Sequence, residues 1–488
     1  PIMIGRLGDS EYGVYQFVLP IISYLSLLSF GLGSAYVRYY SRFKAADDRD
    51  GMRKLNGMFL LAYTVQGTVV LIIGLWLSYH GSVIFGTKLT AEEVTLGVKL
   101  LRIMTVNAAL TFPITVFESY VTIHERYLFQ KIVAMGKQVL NPLIMIPLLL
   151  IGYRSVAMTV LSLIFTILSG IINIGYCVFK LKITFRFGPY TSHDFKLIRE
   201  MFSFMLYVFI GIVVENINWS IDRQLLGWIH GSTAVTVYTV ASQVNIYFLT
   251  FATAVSNVLT PQVHRLVAEA RPMRELDAMF TKVGRLQFIL LGCILLGFVA
   301  VGRGFLALWG QSAAYADTRY WIALLLMFTC LWTNIQTLGT IIQQAMNMHK
   351  FRSFLYLAVL IGNILISIPL CWKWEGLGSA IGTAIATLIG NVTLMNWYYH
   401  KRIGLNIPMF WKHIFHLLPS MLLPFIAAVL LAIYVYPTSY FGVAGIAAAF
   451  ALLYGACMWL FGMNRYERGL VTTIVRKFLP AQRGRRRR

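Results

Sequence analysis

Apolar blocks long enough to cross a lipid bilayer recur along nearly the whole chain. Each contains about 20 residues, the length that spans a hydrocarbon core as an α-helix. Only 12% of the 488 residues are charged, against about 25% in soluble domains. This pattern excludes a soluble enzyme, a disordered chain and a secreted disulfide scaffold, and a membrane β-barrel would alternate over shorter segments. The sequence therefore predicts an all-α polytopic membrane protein.

The limits of the apolar blocks predict thirteen membrane spans. The spans are residues 11–34, 56–79, 97–120, 127–151, 154–178, 199–219, 232–259, 285–307, 319–345, 353–371, 375–398, 412–436 and 441–463. When the loops alternate across the membrane, 32 of the 42 Lys and Arg residues fall on one side and seven on the other. Positive charge collects on the cytoplasmic side, so the C-terminus is predicted to be cytoplasmic. The net charge of +23 then follows from topology, and no nucleic-acid partner is expected.

Matching residues at a nearly constant offset indicate an internal repeat. The matched positions are Gly8, Tyr15, Tyr24, Ser155 and Thr159 with Gly231, Tyr238, Tyr247, Ser379 and Thr383. The span 199–219 opens the second copy, and its counterpart would lie before Pro1. We therefore expect fourteen helices, as two six-helix lobes and a terminal helix pair, with the first helix largely missing from this chain. Repeated six-helix halves are a known transporter architecture.

The repeat divides the chain into four predicted regions. Residues 1–198 form an N-terminal lobe, 199–400 a C-terminal lobe and 401–463 an additional helix pair. Residues 464–488 form a basic cytoplasmic tail, whose apolar residues between Leu470 and Phe478 share one helical face. Such a helix is typical of the membrane interface, and the terminal arginines would lie on anionic lipid.

Ionisable residues inside a span carry an energetic cost and are therefore informative. Lys137 lies about 15 Å along its predicted helix, at ~1.5 Å per residue, and shares a polar face with Gln138 and Asn141. We interpret this face as the lining of a polar cavity. Arg38, which is predicted to end the first span, and Arg102 either extend their charges to the interface or bind substrate.

A second polar face is predicted where the chain enters its second half. Glu215, Asn218 and Asp222 are spaced by three and four residues, which places them on one side of a helix. Such a face does not point at lipid. It either belongs to a buried polar network that joins helices, or it binds the substrate or a coupling cation.

Several other chemistries find no support in the sequence. There is no GxxxxGK[ST] phosphate loop for ATP, and the external loops are too short for the catalytic residues of a membrane glycosyltransferase or polymerase. The five cysteines lie far apart within apolar segments, as is typical of packed thiols. No metal site and no cofactor are predicted.

Two stretches resemble motifs of the bacterial oligosaccharide flippases of the Wzx type. The first is Arg6-Leu-Gly-Asp-Ser-Glu-Tyr-Gly-Val-Tyr, followed by an apolar helix and by Phe30-Gly-Leu-Gly-Ser-Ala and Val37-Arg-Tyr-Tyr. The second, Asn218-Trp-Ser-Ile-Asp222-Arg223-Gln-Leu-Leu-Gly227, is similar to the N-x-x-x-D-R-x-x-x-G stretch of the seventh helix of that family. The superfamily also contains multidrug extruders and lipid II flippases.

The resemblance implies a flippase without covalent chemistry. It would move undecaprenyl-diphosphate-linked oligosaccharide repeat units across the bacterial inner membrane by alternating access, for O-antigen, capsule or exopolysaccharide synthesis. A polysaccharide polymerase and a chain-length regulator would be its protein partners. The substrate-binding candidates are Arg38, Arg102, Lys137, Asn141 and Arg223, and the candidates for coupling to H⁺ or Na⁺ are Glu215 and Asp222. The main alternative is a cation-coupled multidrug exporter of the same fold.

Overall fold

The protein is predominantly helical, and without strands, in the part of the chain that its computed structural model describes. This part comprises residues 2–29, 32–86, 88–188, 209, 213, 216–217, 220–269, 271–346, 348 and 350–478. The α-helices are α1 (Ile2–Ser26), α2 (Leu32–Ala45), α3 (Arg49–Tyr79), α4 (Gly81–Ile84), α5 (Ala91–Ile123), α6 (Tyr127–Ile151), α7 (Ser155–Gly175), α8 (220–230), α9 (Ser232–Ala268), α10 (Met273–Trp309), α11 (Ala316–Asn334), α12 (Thr337–Ala345), α13 (Lys350–Thr387), α14 (Met395–Tyr398), α15 (Ile407–Phe415), α16 (Leu418–Tyr434), α17 (Tyr440–Cys457) and α18 (Arg465–Phe478).

Within the described residues, nine helices are long and apolar enough to cross a membrane, or eleven when two bent helix pairs count as one span each. One candidate, Phe351–Ile403, contains 53 residues, a length of about 80 Å as a straight helix against a hydrocarbon core of ~30 Å. It is interrupted at Trp374 and Glu375, whose backbone dihedrals are not helical. The break separates the predicted spans 353–371 and 375–398. The chain is therefore a polytopic all-α membrane protein.

The first span differs from its prediction. Residues 11–34 are predicted as one span, but α1 ends at Ser26, a short 3-10 turn covers Leu27–Ser29, and α2 begins at Leu32. Glycine is a poor helix former, and the Gly-Leu-Gly sequence at 31–33 interrupts the apolar block. Arg38 lies within α2, so the prediction that Arg38 ends the first span is wrong.

Repeat-matched glycines share a positive φ angle. Gly8 has a φ of 79° and Gly231 a φ of 85°, values that glycine reaches without the steric penalty of a side chain. Gly8 marks a kink within α1, and Gly231 separates α8 from α9. The two copies of the predicted repeat therefore change direction at corresponding points.

The contacts divide the chain into two compact units. Unit 1 consists of Pro1–Thr239 and Cys371–Ser379, and unit 2 consists of Val240–Leu370 and Ala380–Arg488. In unit 1, α5 packs against α3 and against α7, beside an aromatic core that includes Tyr36, Phe59 and Tyr63. In unit 2, α10 packs against α11, α15, α16 and α17. The lobe boundaries at residues 198 and 400 stay predictions.

Candidate functional site

Lys137 lies on α6 and contacts α7. Its Nζ donates a hydrogen bond to Thr166 Oγ1 at 3.2 Å, and its side chain is half-buried. The charge of Lys137 also interacts with the carboxylate of Glu118 on α5. An ammonium group has three donors, and a hydrogen bond to a neutral hydroxyl does not neutralise the positive charge of the ammonium. Lys137 can therefore accept an anion as a further partner.

Asn141 lies one helical turn beyond Lys137 on the same face of α6. Its Oδ1 atom is buried and has no hydrogen-bond partner among the described residues. A buried polar atom without a partner is unfavourable by about 1–3 kcal/mol. The carbonyl oxygen of this amide can therefore accept a hydrogen bond from a bound molecule that carries hydroxyl groups.

Thr166 belongs to a polar stripe along α7 that was not recognised in the sequence. The stripe consists of Ser155, Thr159, Ser162, Thr166, Ser169 and Asn173. The spacing alternates between four and three residues, which keeps all six on one helix face, and this spacing was the signal available in the sequence. The side chains of Thr166, Ser169 and Asn173 donate to backbone carbonyls of α7 itself. Their side-chain oxygens consequently remain able to accept hydrogen bonds, as Thr166 does from Lys137.

Arg102 and Arg38 do not join Lys137 in a single cluster. Arg102 lies on α5 and donates from Nε to Ser78 Oγ on α3 at 3.2 Å. Arg38 is exposed on α2, with its guanidinium carbon 5.9 Å from the ring centre of Tyr39. The three predicted cations thus occupy separate helix contacts within unit 1.

Asp222 lies in a tightly bonded buried site in unit 1. Its Oδ2 accepts a hydrogen bond from Tyr238 Oη at 2.6 Å, and its Oδ1 accepts one from Ser379 Oγ at 2.6 Å. The side chain is 6% exposed. Tyr238 and Ser379 are both repeat-matched positions, so Asp222 connects residues that the repeat analysis selects.

Arg223 is half-buried beside Asp222 and interacts electrostatically with it and with Tyr24 and Tyr238. The hydroxyl of Tyr24 is buried without a hydrogen-bond partner among the described residues. The other predicted coupling residue, Glu215, lies outside the described residues.

Glu11 is a second buried acid, and its motif had not been interpreted as a site. Its Oε1 accepts hydrogen bonds from the backbone N–H and from the Oγ of Ser155, at 2.9 and 2.6 Å. Its Oε2 accepts from Nη1 of Arg154 at 3.2 Å. The carboxylate therefore caps the beginning of α7, where the helix dipole favours negative charge. Glu11 bonds Ser155 as Asp222 bonds the repeat-matched Ser379.

A third acid, Glu93 on α5, links α1 to the beginning of α9. Its carboxylate accepts hydrogen bonds from Ser10 Oγ at 2.5 Å, from Ser232 Oγ, and from the backbone N–H of Thr90 at 2.8 Å. Ser10 lies two residues after Gly8, and Ser232 directly follows Gly231, the two glycines with positive φ. Glu93 therefore connects corresponding regions of the two predicted lobes.

The same two helices touch at backbone distance next to Glu93. A Cβ atom on Gly13 would lie far inside van der Waals contact with the carbonyl of Ser232 and 2.8 Å from Thr236 Oγ1. Thr236 Oγ1 also donates to the carbonyl oxygen of Asp9 at 2.5 Å. We define the Glu93 junction as Asp9, Ser10, Gly13, Glu93, Ser232 and Thr236, all within unit 1.

Within the described part of the chain, no group of three or more His, Cys, Asp or Glu side chains could hold a metal ion. The five cysteines are all free, and Cys177, Cys371 and Cys457 are buried.

Comparison with known families and folds gives a consistent result. The profile of a family described as "polysaccharide biosynthesis protein" matches residues 2–267. No curated protein matches the chain at a significant level. The solved structure of the lipid II flippase MurJ in an inward closed conformation matches with a TM-score of 0.74 and 16% identity, over 96% of both chains.

Two further solved structures share the fold. A multidrug resistance MATE family transporter of the MOP superfamily, in an inward-facing conformation, matches with a TM-score of 0.65 and 15% identity over 84% of this chain and 93% of that chain. A MOP superfamily transporter from Pyrococcus furiosus matches with a TM-score of 0.58 and 16% identity over 84% and 90%. At these identities the likeness establishes the fold.

Proposed function

Because this chain belongs to the polysaccharide biosynthesis protein family, we propose that it moves undecaprenyl-diphosphate-linked oligosaccharide repeat units across the bacterial inner membrane. The sugar head group passes from the cytoplasmic to the periplasmic leaflet while the lipid tail stays in the bilayer. A diphosphate does not cross hydrocarbon unaided, because unpaired charge there is strongly unfavourable. The fold shared with a lipid II flippase supports a lipid-linked substrate.

The observation that carries this proposal is the pairing of Lys137 with the polar stripe of α7. Lys137 lies about 15 Å along α6, at ~1.5 Å per residue, and its ammonium bonds Thr166 halfway along α7. The ammonium would hold a phosphate, while the half-buried hydroxyls of Ser162 and Ser169 and the carbonyl oxygen of Asn141 would accept hydrogen bonds from sugar hydroxyls. A purely apolar substrate would leave the buried Oδ1 atom of Asn141 without a hydrogen-bond partner. Glu118 would balance the charge of Lys137 when no anion is bound.

Arg38, Arg102 and Arg223 are proposed as further contacts of the diphosphate or of acidic sugars. Since they lie at separate helix contacts, they would act at successive points of the path. The protein would carry out no bond-making step, its C-terminus would be cytoplasmic, and a polysaccharide polymerase and a chain-length regulator would act on the units it delivers.

Deleting the gene is expected to stop export of the surface polysaccharide and to leave complete lipid-linked repeat units on the cytoplasmic leaflet. The lipid-linked units are extracted, sized by mass spectrometry and tested for access to an impermeant glycosidase in spheroplasts. Incomplete units would instead indicate a glycosyltransferase. Normal glycans together with new sensitivity to cationic dyes would indicate a multidrug exporter and contradict the proposal.

Lys137→Ala is expected to reduce transport by about 10- to 100-fold, because a charge-assisted hydrogen bond contributes about 1.5–3 kcal/mol. Lys137→Arg should retain most of the activity. Lys131→Ala is the matched control, because Lys131 is an exposed cation on the same helix. Transport is measured as surface polysaccharide at equal protein levels. Equal loss in Lys137→Ala and Lys131→Ala would remove Lys137 from the substrate path.

We further propose that Asp222 carries the coupling charge, and Asp222→Asn is therefore expected to change the dependence of transport on the proton or sodium gradient. The amide cannot take the negative charge that a coupling cation would neutralise. Uptake into everted vesicles is measured with each gradient imposed alone, together with the thermal stability of the purified variant. A stable variant with unchanged gradient dependence would exclude Asp222 from coupling and leave it as part of a buried network.

A further inference from the structure

A small apolar cavity lies within unit 2, between α9, α10 and α11. Its volume is about 180 Å³. Each of the three helices belongs to a candidate membrane span, so the cavity lies among the spans. Six of the described residues that line it are aromatic: Tyr247, Phe248, Phe251, Phe298, Phe305 and Trp309. We call this site the aromatic cavity.

The aromatic rings on α10 are held in place by stacking. Phe298, Phe305 and Trp309 are spaced by seven and four residues, which places them on one helix face. Phe305 and Trp309 stack with their ring centres 5.5 Å apart, and Phe298 stacks on Tyr320 of α11 at 5.9 Å. Aromatic pairs are stabilised by such contacts beyond the area that they bury, which opposes rotation of the rings into the gap between the helices. The aromatic cavity is therefore preformed.

The aromatic cavity has a buried floor and an accessible entrance. Phe248 on α9 and Met327 on α11 both line it, and each is 1% exposed. Tyr247 and Phe251 lie one turn apart on α9, and each is more than half exposed. An apolar group can therefore enter beside Tyr247 and Phe251 without separating the helices.

The lining of the aromatic cavity favours hydrocarbon over water. Among the described residues that line it, none is charged, and only Gln243, Tyr247 and Trp309 carry a polar side-chain atom. A buried water molecule needs two to four polar partners, whereas an engineered cavity of about 150 Å³ lined by Leu, Ile and Phe stays dry and binds benzene. The aromatic cavity is slightly larger, so it can hold a hydrocarbon group of about the size of benzene.

The same lining decides between three classes of apolar ligand. Aromatic rings can hold an organic cation, but no lining residue is an acid, and unpaired charge among membrane spans is unfavourable. A straight saturated chain is thinner than a benzene ring, so it would leave part of the volume empty and lose dispersion contacts. An isoprene unit is a branched five-carbon group with a planar double bond. It approaches benzene in size and can lie flat against the ring faces.

We infer that the aromatic cavity binds one unit of the polyisoprenoid tail of the transported lipid. This inference rests on the proposed function, whose substrate carries such a tail. The rest of the tail stays in the bilayer, and the bound unit fixes the tail to unit 2 during transport. Phospholipids carry straight acyl chains and greatly outnumber the substrate, so the cavity selects the substrate by its tail as well as by its head group.

The test fills the aromatic cavity with protein side chains. Val244→Phe and Ile294→Phe each enlarge a half-buried lining residue. Ile246→Phe is the matched control, because Ile246 is exposed on α9 and does not line the cavity. Native mass spectrometry of the purified protein measures the dissociation constant of undecaprenyl phosphate, and thermal denaturation measures stability. Each filled variant should bind about tenfold more weakly, since an empty cavity is unfavourable in proportion to its volume and filling roughly a third of this one corresponds to that factor. Ile246→Phe should bind as the unchanged protein does.

Two further probes distinguish the classes of ligand. Dihexadecyl phosphate has the same phosphate group on straight saturated chains, and tetraphenylphosphonium is an aromatic cation. Filling the cavity should leave the affinity for both unchanged. An equal loss for dihexadecyl phosphate would make the cavity a general acyl-chain site, and a loss for tetraphenylphosphonium would make it a site for cations. Either result would overturn the inference.

Photolabelling locates the bound tail in the protein without substitutions, and so does not depend on the folding of the filled variants. A polyprenyl phosphate with a diazirine in its tail should label residues 243–251 or 294–309, and excess undecaprenyl phosphate should prevent the labelling. Labelling confined to other helices would overturn the inference. Undiminished binding of undecaprenyl phosphate by stable filled variants would overturn it as well. Neither result would affect the proposed function, because the phenotype of the gene deletion does not depend on this cavity.

Discussion

Gly13→Leu is expected to reduce transport by two to three orders of magnitude. Even a Cβ atom at this position would overlap the carbonyl of Ser232, so α1 and α9 must separate to admit a side chain. Overpacking is unfavourable by about 1–3 kcal/mol, and each hydrogen bond lost from the Glu93 junction adds about 1 kcal/mol. A total near 4 kcal/mol lowers the population of the state in which α1 and α9 are in contact by about a thousandfold. A transport cycle that passes through this state slows accordingly.

The control for Gly13→Leu is Gly455→Leu, because a Cβ atom at Gly455 would meet nothing within 4 Å. Surface polysaccharide and protein level are measured for both variants. A cysteine at Ser232 reports the state of the junction, since its labelling by an impermeant maleimide should rise in Gly13→Leu. Full transport in Gly13→Leu would show that the close contact between α1 and α9 is not part of the cycle.

Arg285→Ala and Glu467→Ala are each expected to lower the free energy of unfolding by about 3–5 kcal/mol. Arg285 Nε and Nη2 donate to the two carboxylate oxygens of Glu467, and the two residues are only 5% and 2% exposed. Either change leaves one charge of this Arg285–Glu467 clamp buried without its partner. Arg285→Ala also removes the donors that satisfy the carbonyls of His413 and Gly462. The double variant Arg285→Met/Glu467→Leu should recover most of the loss, because an apolar pair of similar volume replaces a buried ion pair without leaving unpaired charge.

Denaturation of the purified protein in detergent measures these effects. Arg271→Ala serves as the control, because the Arg271–Glu269 pair is about half exposed and exposed pairs contribute little to stability. A loss in Arg285→Ala no larger than in Arg271→Ala would contradict the role of the clamp. A double variant less stable than both single variants would contradict the explanation from unpaired charge.

The spans could be predicted from the sequence because bilayer thickness imposes one repeated requirement on the chain. A run of about 20 apolar residues is visible without knowledge of its neighbours, and the break near Trp374 falls where the predicted spans 353–371 and 375–398 separate. The end of α1 was misplaced because apolar residues continue past Ser26 into α2. A hydropathy profile does not distinguish one continuous helix from two successive apolar helices.

The partners of the polar residues could not be predicted, because they come from distant parts of the chain. Lys137 stands out in the sequence as a charge within a predicted span, and Asp222 as a charge shortly after the predicted span 199–219. Their contacts with Thr166 and Ser379 depend on how helices pack, which hydropathy does not encode. Glu93 lies only a few residues from the end of a predicted span, where a carboxylate is ordinary, so nothing in the sequence distinguished it.

The Glu93 junction also limits how the two halves of the chain can evolve. After a duplication, the copies of a repeat are usually free to diverge separately. Here Ser10 of the first predicted copy and Ser232 of the second predicted copy donate to the same carboxylate oxygen of Glu93. A substitution at one serine changes the hydrogen bonding of the other, so mutations at these two positions are expected to be epistatic. The two predicted copies are therefore expected to change together at these two positions during evolution.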